Sequence, residues 1–192
     1  MDNNSYEVEV KYNISQDDYI KLYQRMVEKG ATTASGKDDY YSMPYSNGSL
    51  LRLRKKPEKA FMTIKVRHGR YARRENEVRI MLDPKAPHME HELDNFVREL
   101  GMNHFMHIEK QGLNYEFIWN GIPFHFSMYH AQANGISRYF VEVEMDKNYV
   151  TDVKEAERNL QELLDSQFYK VIPVSDVVLE ETQLLLPQTF MQ

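Results

Sequence analysis

Charged and apolar residues alternate along several short stretches of the chain. In residues 6–13, YEVEVKYN, Glu7, Glu9 and Lys11 occupy every second position, with valines between them. Because successive side chains of a β-strand point to opposite faces, this spacing places the three charges on one face of a strand and the valines on the other. Similar patterns predict further strands near residues 38–43, 50–56, 60–67, 73–82, 105–111 and 138–145, and a hairpin over 114–129 around Asn120-Gly121.

Helical periodicity separates these strands at four places. Ser15 is the predicted N-cap of a helix that ends before Gly30, with Ile20, Tyr23, Met26 and Val27 on its apolar face. Turns are predicted at SNGS and RHGRYA. The other helices are predicted over residues 89–100, 151–166 and 174–186. About eight mostly antiparallel strands with three or four helices predict an α+β fold built on one large curled or closed sheet.

The charges of five predicted strands each fall on a single face. One interpretation is an antiparallel sheet with one face in water, which commonly shows such alternation. Here, however, acids and bases are largely segregated between strands, and this favours a barrel with the charges inside and the apolar face packed outward under helices. The residues on the charged faces are Glu7, Glu9 and Lys11; Arg52 and Arg54; Thr63, Lys65 and Arg67; Arg73, Glu75, Glu77 and Arg79; and Glu142 and Glu144.

A charged interior requires compensation, since an unpaired buried charge is very costly. Carboxylates on neighbouring strands would suit Mg²⁺ or Mn²⁺, which prefer oxygen ligands. Arginine and lysine side chains would bind an extended polyanion through its phosphate oxygens. The candidate bases are Lys11, Arg52, Arg54, Lys65, Arg67, Arg79 and Lys110. A metal–polyphosphate complex would satisfy both sets, and phosphoryl transfer depends mainly on such positioning and charge neutralisation.

Composition restricts the alternatives. The chain has 192 residues, a formal charge of −5 and no cysteine, which excludes disulfides and thiolate sites. No run approaches ~18 apolar residues, and the N-terminus has no hydrophobic signal region. We therefore expect a single cytoplasmic domain over residues 1–192, a monomer or homodimer, with no nucleic-acid or membrane partner.

Other familiar sites are not indicated. The sequence has no phosphate-binding glycine loop, no dinucleotide-binding glycine motif and no nucleophile elbow. The pairs His88/His91 and His104/His107 have no third ligand at a matching spacing and are expected to be surface residues. The aromatic residues of the hairpin are expected to form one core face rather than a platform for stacking bases.

The charged segments resemble the CYTH superfamily, the triphosphate tunnel metalloenzymes. The family begins with a Glu-x-Glu-x-Lys strand, which EVEVK matches at residues 7–11. Six further segments follow in the order of the family and extend the resemblance to about residue 144. They are DDYYS (38–42), LRLR (51–54), TIK (63–65), RRENE (73–77), IEK (108–110) and VEVE (141–144).

The resemblance implies an eight-stranded antiparallel β-barrel that forms a tunnel, with helices packed outside. It implies that Lys11, Arg52, Arg54 and Lys65 bind a triphosphate, and that Lys110 contacts phosphate or orients the attacking water together with Glu9. We add Arg79 and Arg138 as candidate phosphate ligands. The implied ligands of one or two Mg²⁺ or Mn²⁺ ions are Glu7, Glu9, Glu75, Glu77, Glu142 and Glu144.

The chain departs from the family pattern at two positions: Gly112 replaces an arginine and Ser127 replaces an aspartate. Three functions stay open at this point. The first is hydrolysis of the terminal phosphoanhydride of a small-molecule triphosphate, such as tripolyphosphate, thiamine triphosphate or a nucleoside triphosphate. The second is conversion of ATP to cyclic AMP and pyrophosphate. The third is binding of polyphosphate or a nucleotide without chemistry.

Overall fold

The structure is a computed structural model that describes residues 5–42, 50–56, 59–67, 71–81, 88–166 and 181–185. Within these ranges the elements alternate much as the sequence pattern predicts. They are β1 (Ser5–Ile14), α1 (Gln16–Glu28), β2 (Thr32–Ser42), β3 (Leu50–Lys56), β4 (Lys59–Arg67), β5 (Ala72–Met81), α2 (Met89–Glu99), β6 (Asn103–Trp119), β7 (Ile122–Ala133), β8 (Ile136–Met145), a 3₁₀ turn (Lys147–Tyr149), α3 (Val153–Asp165) and α4 (Glu181–Leu184).

The eight described strands close into an antiparallel barrel in the order β1-β5-β4-β3-β2-β6-β7-β8. Strand β1 closes it by pairing with β5 on one side and with β8 on the other. The predicted fold class, an α+β protein built on a closed antiparallel sheet, is confirmed. No helix among the described residues has the length and hydropathy of a membrane span.

Most apolar strand faces point outward and pack under helices, as the alternation predicts, although Val66 of β4 and Val78 of β5 are exposed. Val8 and Val10 of β1 are buried in one cluster with Leu22 of α1 and Leu160 of α3. A separate cluster contains Val97 of α2, which is fully buried beside residues of β2, β3 and β4. The barrel thus has its main hydrophobic core outside the sheet, and its interior combines charged and polar side chains with a smaller apolar cluster that contains Met106, Ile108 and Phe140.

Helix α1 begins as predicted, because the Ser15 hydroxyl oxygen accepts a hydrogen bond from the Asp18 backbone N–H at 3.1 Å. Its buried face differs from the predicted one. Leu22 and Met26 are buried, whereas Ile20 and Val27 are about half exposed. The predicted apolar stripe is therefore rotated from the observed one.

Strand β6 is one continuous element of 17 residues, where the sequence predicts two strands separated near residue 112. Gly112 does not interrupt the strand. A Cβ atom at this position would lie 1.8 Å from the Met128 carbonyl oxygen of β7. The glycine therefore permits a close approach of two backbones, and the same approach leaves no room for the arginine that the family pattern has here.

The β6–β7 hairpin has the predicted turn: Asn120 and Gly121 both have positive φ, at 49° and 79°. A second turn of this kind, at Asn134 and Gly135, joins β7 to β8. Several predicted features lie wholly or mostly outside the described residues: the turn SNGS, most of RHGRYA including His68, and most of the helix over 174–186, of which α4 is the described part.

We predict that Gly112→Ala strongly destabilises the fold, by more than about 3 kcal/mol or to the point of misfolding, because the clash is with backbone that cannot rotate away. Urea unfolding followed by circular dichroism measures this. Gly36→Ala is the matched control, since a Cβ there has open space. Similar losses in the two variants would show that the close approach at Gly112 is not the cause.

Candidate functional site

The interior of the barrel contains a cavity of about 240 Å³. Its walls combine basic and acidic side chains from strands on all sides of the barrel. The charged residues that line it are Glu7, Lys11, Arg52, Arg54, Arg73, Lys110, Glu142, Glu144 and Glu181. Acidic and basic side chains thus face each other across an enclosed space, as the sequence predicts.

Three carboxylates converge where β1 pairs with β8. Glu9, Glu142 and Glu144 each offer one oxygen, and these three oxygens lie within 4.8 Å of one another. The pairing register explains this, because Glu9 lies opposite Glu144 and Lys11 lies opposite Glu142. A set of oxygen donors on rigid strands fits Mg²⁺ or Mn²⁺, and Mg²⁺ is commonly held by few carboxylates together with substrate phosphates.

Asp38 organises the opposite wall. Its side chain is fully buried, and Arg54, directly across the β2–β3 ladder, donates to both carboxylate oxygens at 2.6 and 2.8 Å. Lys110 lies 3.0 Å from the same carboxylate. Burial alone would raise the pKa of Asp38, but Lys110 and Arg54 outweigh it and hold the pKa well below its usual range.

Two further ion pairs cross the interior. Lys11 Nζ lies 3.0 Å from Glu142, and Arg73 lies 2.6 Å from Glu9. Burial would lower the pKa of Lys11, but the neighbouring carboxylates raise it, so the ammonium group stays charged. Lys11, Arg54, Arg73 and Lys110 are therefore held in place by internal carboxylates, whereas Arg52 donates to the Thr63 hydroxyl at 3.3 Å.

Glu181, at the start of α4, reaches into the cavity and is only 4% exposed. Its carboxylate accepts hydrogen bonds from Lys110 at 2.5 Å, Tyr129 at 2.6 Å and Tyr40 at 2.8 Å, and it lies 3.6 Å from Lys11. Burial would raise its pKa, but Lys11 and Lys110 lower it well below the usual range. Burial and the Glu181 charge raise the pKa of both tyrosines, which stay neutral donors.

Most predicted site residues are brought together. Seven of them line the cavity: Glu7, Lys11, Arg52, Arg54, Lys110, Glu142 and Glu144. Glu9 joins the carboxylate cluster, and Glu77 lines a second cavity of about 390 Å³ that shares Glu7, Arg52, Arg54 and Glu144 with the first.

Two predicted residues, Arg79 and Arg138, stand apart from this group. Arg79 is exposed and lies over the Phe61 ring, 5.2 Å from its centroid. Arg138 is exposed and donates to the Ser137 carbonyl oxygen. Neither lines the two cavities described above. Lys65 and Glu75 lie opposite each other in the β4–β5 ladder, but their side chains are outside the description. The functional roles of all the predicted residues stay predictions.

Several residues of the site were not predicted from the sequence. Asp38 lies on β2 in the phase that faces the interior, so the alternation could have included it. Arg73 lies on the predicted charged face of its strand but was not among the candidate bases. Glu181 carries no comparable signal, because it lies outside the strands. Among the histidines, His104 and His107 both contact Asp39 Oδ1, at 3.1 and 2.8 Å, on partly exposed side chains.

Comparison with known proteins identifies the family of this chain and solved structures that share its fold. Residues 5–171 match the model of the CYTH domain. A search of curated proteins found no match.

Solved structures resemble the whole barrel at low sequence identity. PH1012 from Pyrococcus horikoshii is 18% identical with a TM-score of 0.61, and the match covers 94% of this chain and 99% of that one. A proposed adenylate cyclase of Bacillus halodurans is 17% identical with a TM-score of 0.58, covering 95% and 100%. HpAC1 of Hippeastrum, a proposed adenylyl cyclase described as revealing a dominant triphosphatase activity, is 14% identical with a TM-score of 0.57, covering 94% of each chain. At these identities the matches establish a shared fold.

We predict that Asp38→Asn lowers the free energy of unfolding at pH 7 by on the order of 2–4 kcal/mol, because Arg54 and Lys110 lose their shared buried counter-charge. Since the folded-state pKa of Asp38 is depressed, its contribution is present above about pH 4 and is lost as the pH falls further. The difference in the free energy of unfolding between the variant and the wild type should therefore become smaller in acid.

Urea unfolding at several pH values checks this. Asp165→Asn, an exposed change on α3, is the control and should shift stability by no more than about 0.5 kcal/mol. A gap that stays constant down to pH 3 would contradict the assigned charge of Asp38.

Proposed function

The chain belongs to the CYTH domain family, and on that basis we propose that it is a metal-dependent triphosphatase that hydrolyses the terminal phosphoanhydride of an inorganic or organic triphosphate. One observation carries this proposal. A cluster of three carboxylates, Glu9, Glu142 and Glu144, adjoins a cavity whose walls present Lys11, Arg52, Arg54 and Lys110.

The basic residues are suited to bind a chain of phosphates. Arg52 and Arg54 project from the same face of β3, and Lys11 and Lys110 approach the cavity from β1 and β6. A guanidinium group matches phosphate oxygens with two parallel donors, whereas an ammonium group supplies a compact charge. A bound triphosphate would replace some of the internal carboxylates as the ion-pair partner of these basic side chains.

The acidic residues are suited to hold a divalent cation. Glu9, Glu142 and Glu144 would ligate Mg²⁺ or Mn²⁺, with Glu7, Glu75 and Glu77 as additional candidates. When bound, such an ion supplies charge neutralisation at the phosphate oxygens. Lys11, 3.0 Å from Glu142, would keep that carboxylate oriented toward both the ion and the substrate.

In the proposed reaction a water oxygen forms a bond to the terminal phosphorus as the bond to the bridging oxygen breaks. The electron pair of that bond leaves with the diphosphate, and the water's proton is released as orthophosphate forms. Glu9 would accept a hydrogen bond from the attacking water, and Lys110 would stabilise the developing negative charge. The arginines would fix the remaining phosphates in line.

One wall of the cavity leaves room for an organic substituent. Ala34, Gly36, Gly112 and Ser127 line it with small side chains or none. This favours an organic triphosphate over tripolyphosphate alone, and it keeps a cyclase acting on ATP as the second candidate function. In that reaction the 3′-hydroxyl would attack the α-phosphate and pyrophosphate would leave.

We predict that the purified protein releases orthophosphate from tripolyphosphate, ATP or thiamine triphosphate when Mg²⁺ or Mn²⁺ is present, because the bases bind the phosphates and the acids bind the ion. Orthophosphate, pyrophosphate and cyclic AMP should be followed together, with EDTA-treated protein as the control. Cyclic AMP with pyrophosphate would identify the cyclase instead, and metal-dependent binding without turnover would identify a binding module.

We also predict that Glu144→Gln lowers metal-dependent turnover by on the order of 100-fold while the fold survives, since the change removes one anionic ligand without altering shape. Glu162→Gln on the exposed side of α3 is the matched control, with the same chemical change away from the cavity. Kinetics at saturating metal and circular dichroism measure the two effects. Wild-type activity in Glu144→Gln would exclude the proposed metal ligands.

A further inference from the structure

The C-terminal segment 181–185 enters the barrel, and its apolar end is firmly packed. Leu185 is fully buried in a cluster with Met106, Ile108 and Phe140 from the interior of the sheet. Asn134, in the β7–β8 turn, donates to the Leu185 carbonyl oxygen at 3.4 Å. This anchor fixes where the first residue of α4 places its side chain.

The carboxylate of Glu181 thereby meets donors from four different strands. Lys11 belongs to β1, Tyr40 to β2, Lys110 to β6 and Tyr129 to β7. Such a convergence of two ammonium groups and two phenol hydroxyls around one anion is the arrangement of an anion-binding site. In the structure, the anion in this site is part of the chain itself.

The same donors are needed by the substrate of the proposed function. Lys11 and Lys110 are two of the cations assigned to the triphosphate, and a phosphoryl group on them would lie against the Glu181 carboxylate. Two anions in one buried site repel each other strongly. A phosphoryl group therefore cannot occupy this position while Glu181 keeps its contacts.

We propose that Glu181 is an internal competitor for one phosphate position, and that a bound polyphosphate displaces its carboxylate together with segment 181–185. The other internal acids cannot leave in this way, because they are built into strands of the closed barrel. The inference rests on the proposed function, since it assumes that polyphosphate binds at Lys11 and Lys110. Displacement would make the chain's own C-terminal segment a regulator of access to the site.

With competition of this kind, the apparent Kd for substrate equals the intrinsic Kd divided by the fraction of molecules in which Glu181 has left the site. If the docked state predominates by about tenfold, the affinity for polyphosphate is reduced by about tenfold. Removing the charge of Glu181 should therefore raise the affinity for polyphosphate by this factor. Removing the apolar anchor should do the same without touching any charged group.

The test measures binding of inorganic tripolyphosphate by isothermal titration calorimetry, so that turnover is not required. We expect Glu181→Gln to bind tripolyphosphate about tenfold or more tightly than the wild type. Leu185→Ala, which keeps every charge, should also bind more tightly. Glu155→Gln on α3 changes the net charge equally at an exposed position and should leave the affinity unchanged.

A second measurement distinguishes displacement of segment 181–185 from the alternative that the segment stays in the barrel when tripolyphosphate binds. Hydrogen exchange in the wild type should become faster in a peptide containing residues 181–185 when tripolyphosphate is added, because the segment leaves the barrel. Unchanged or slower exchange would overturn displacement, even if Glu181→Gln binds more tightly.

The remaining outcomes also separate the two proposals. If the wild type binds tripolyphosphate and Glu181→Gln binds it equally or more weakly, the competitor role is overturned and the proposed function stands. Failure of the wild type and of both variants to bind tripolyphosphate overturns the competitor role, and the proposed function is overturned as well if ATP and thiamine triphosphate also fail to bind. Circular dichroism of each variant confirms that the barrel is intact in these comparisons.

Discussion

The enclosure of charge by a closed sheet is the constraint on which the rest of this structure depends. A charge inside the barrel loses most of its hydration, and it is tolerated only when an opposite charge and hydrogen bonds replace the lost water. The strand registers supply these partners. Asp38 lies opposite Arg54, and Lys11 lies opposite Glu142, so backbone pairing places the counter-ions before any side chain moves. The sheet and its electrostatics are therefore specified together.

The interior pairs also shape how the site would accept a ligand. Because Arg54 and Lys110 share Asp38, and Arg73 is held on Glu9, the basic groups are oriented and partly neutralised in advance. An incoming polyanion with its cation would exchange partners with these groups rather than meet bare charges. Such an exchange gives the basic groups an anionic partner in both the empty and the filled state, which lowers the electrostatic cost of burying them.

Alternation along the sequence was sufficient to predict the strands, the inward face and most of the acids and bases that meet there. It could not give the depth of a residue along the barrel axis, so Arg79 has the predicted face yet lies over Phe61 outside the cavity. The sequence predicts two strands on either side of Gly112, whereas the structure has one continuous strand in which Gly112 permits close contact between two backbones. Glu181 was unpredictable for another reason: helical periodicity over residues 174–186 indicates a helix but not which of its side chains the tertiary structure places inside the barrel.

The pairing of β1 with β8 has a consequence for how the protein is made. Residues of the first strand meet partners near position 144, so the seam between them can form only after most of the chain has left the ribosome. Contacts of such long sequence separation are slow to form, since a large loop must close before they contribute. Glu9 and Glu144 face each other across this seam, and a nascent chain therefore lacks the carboxylate cluster until β8 is in place.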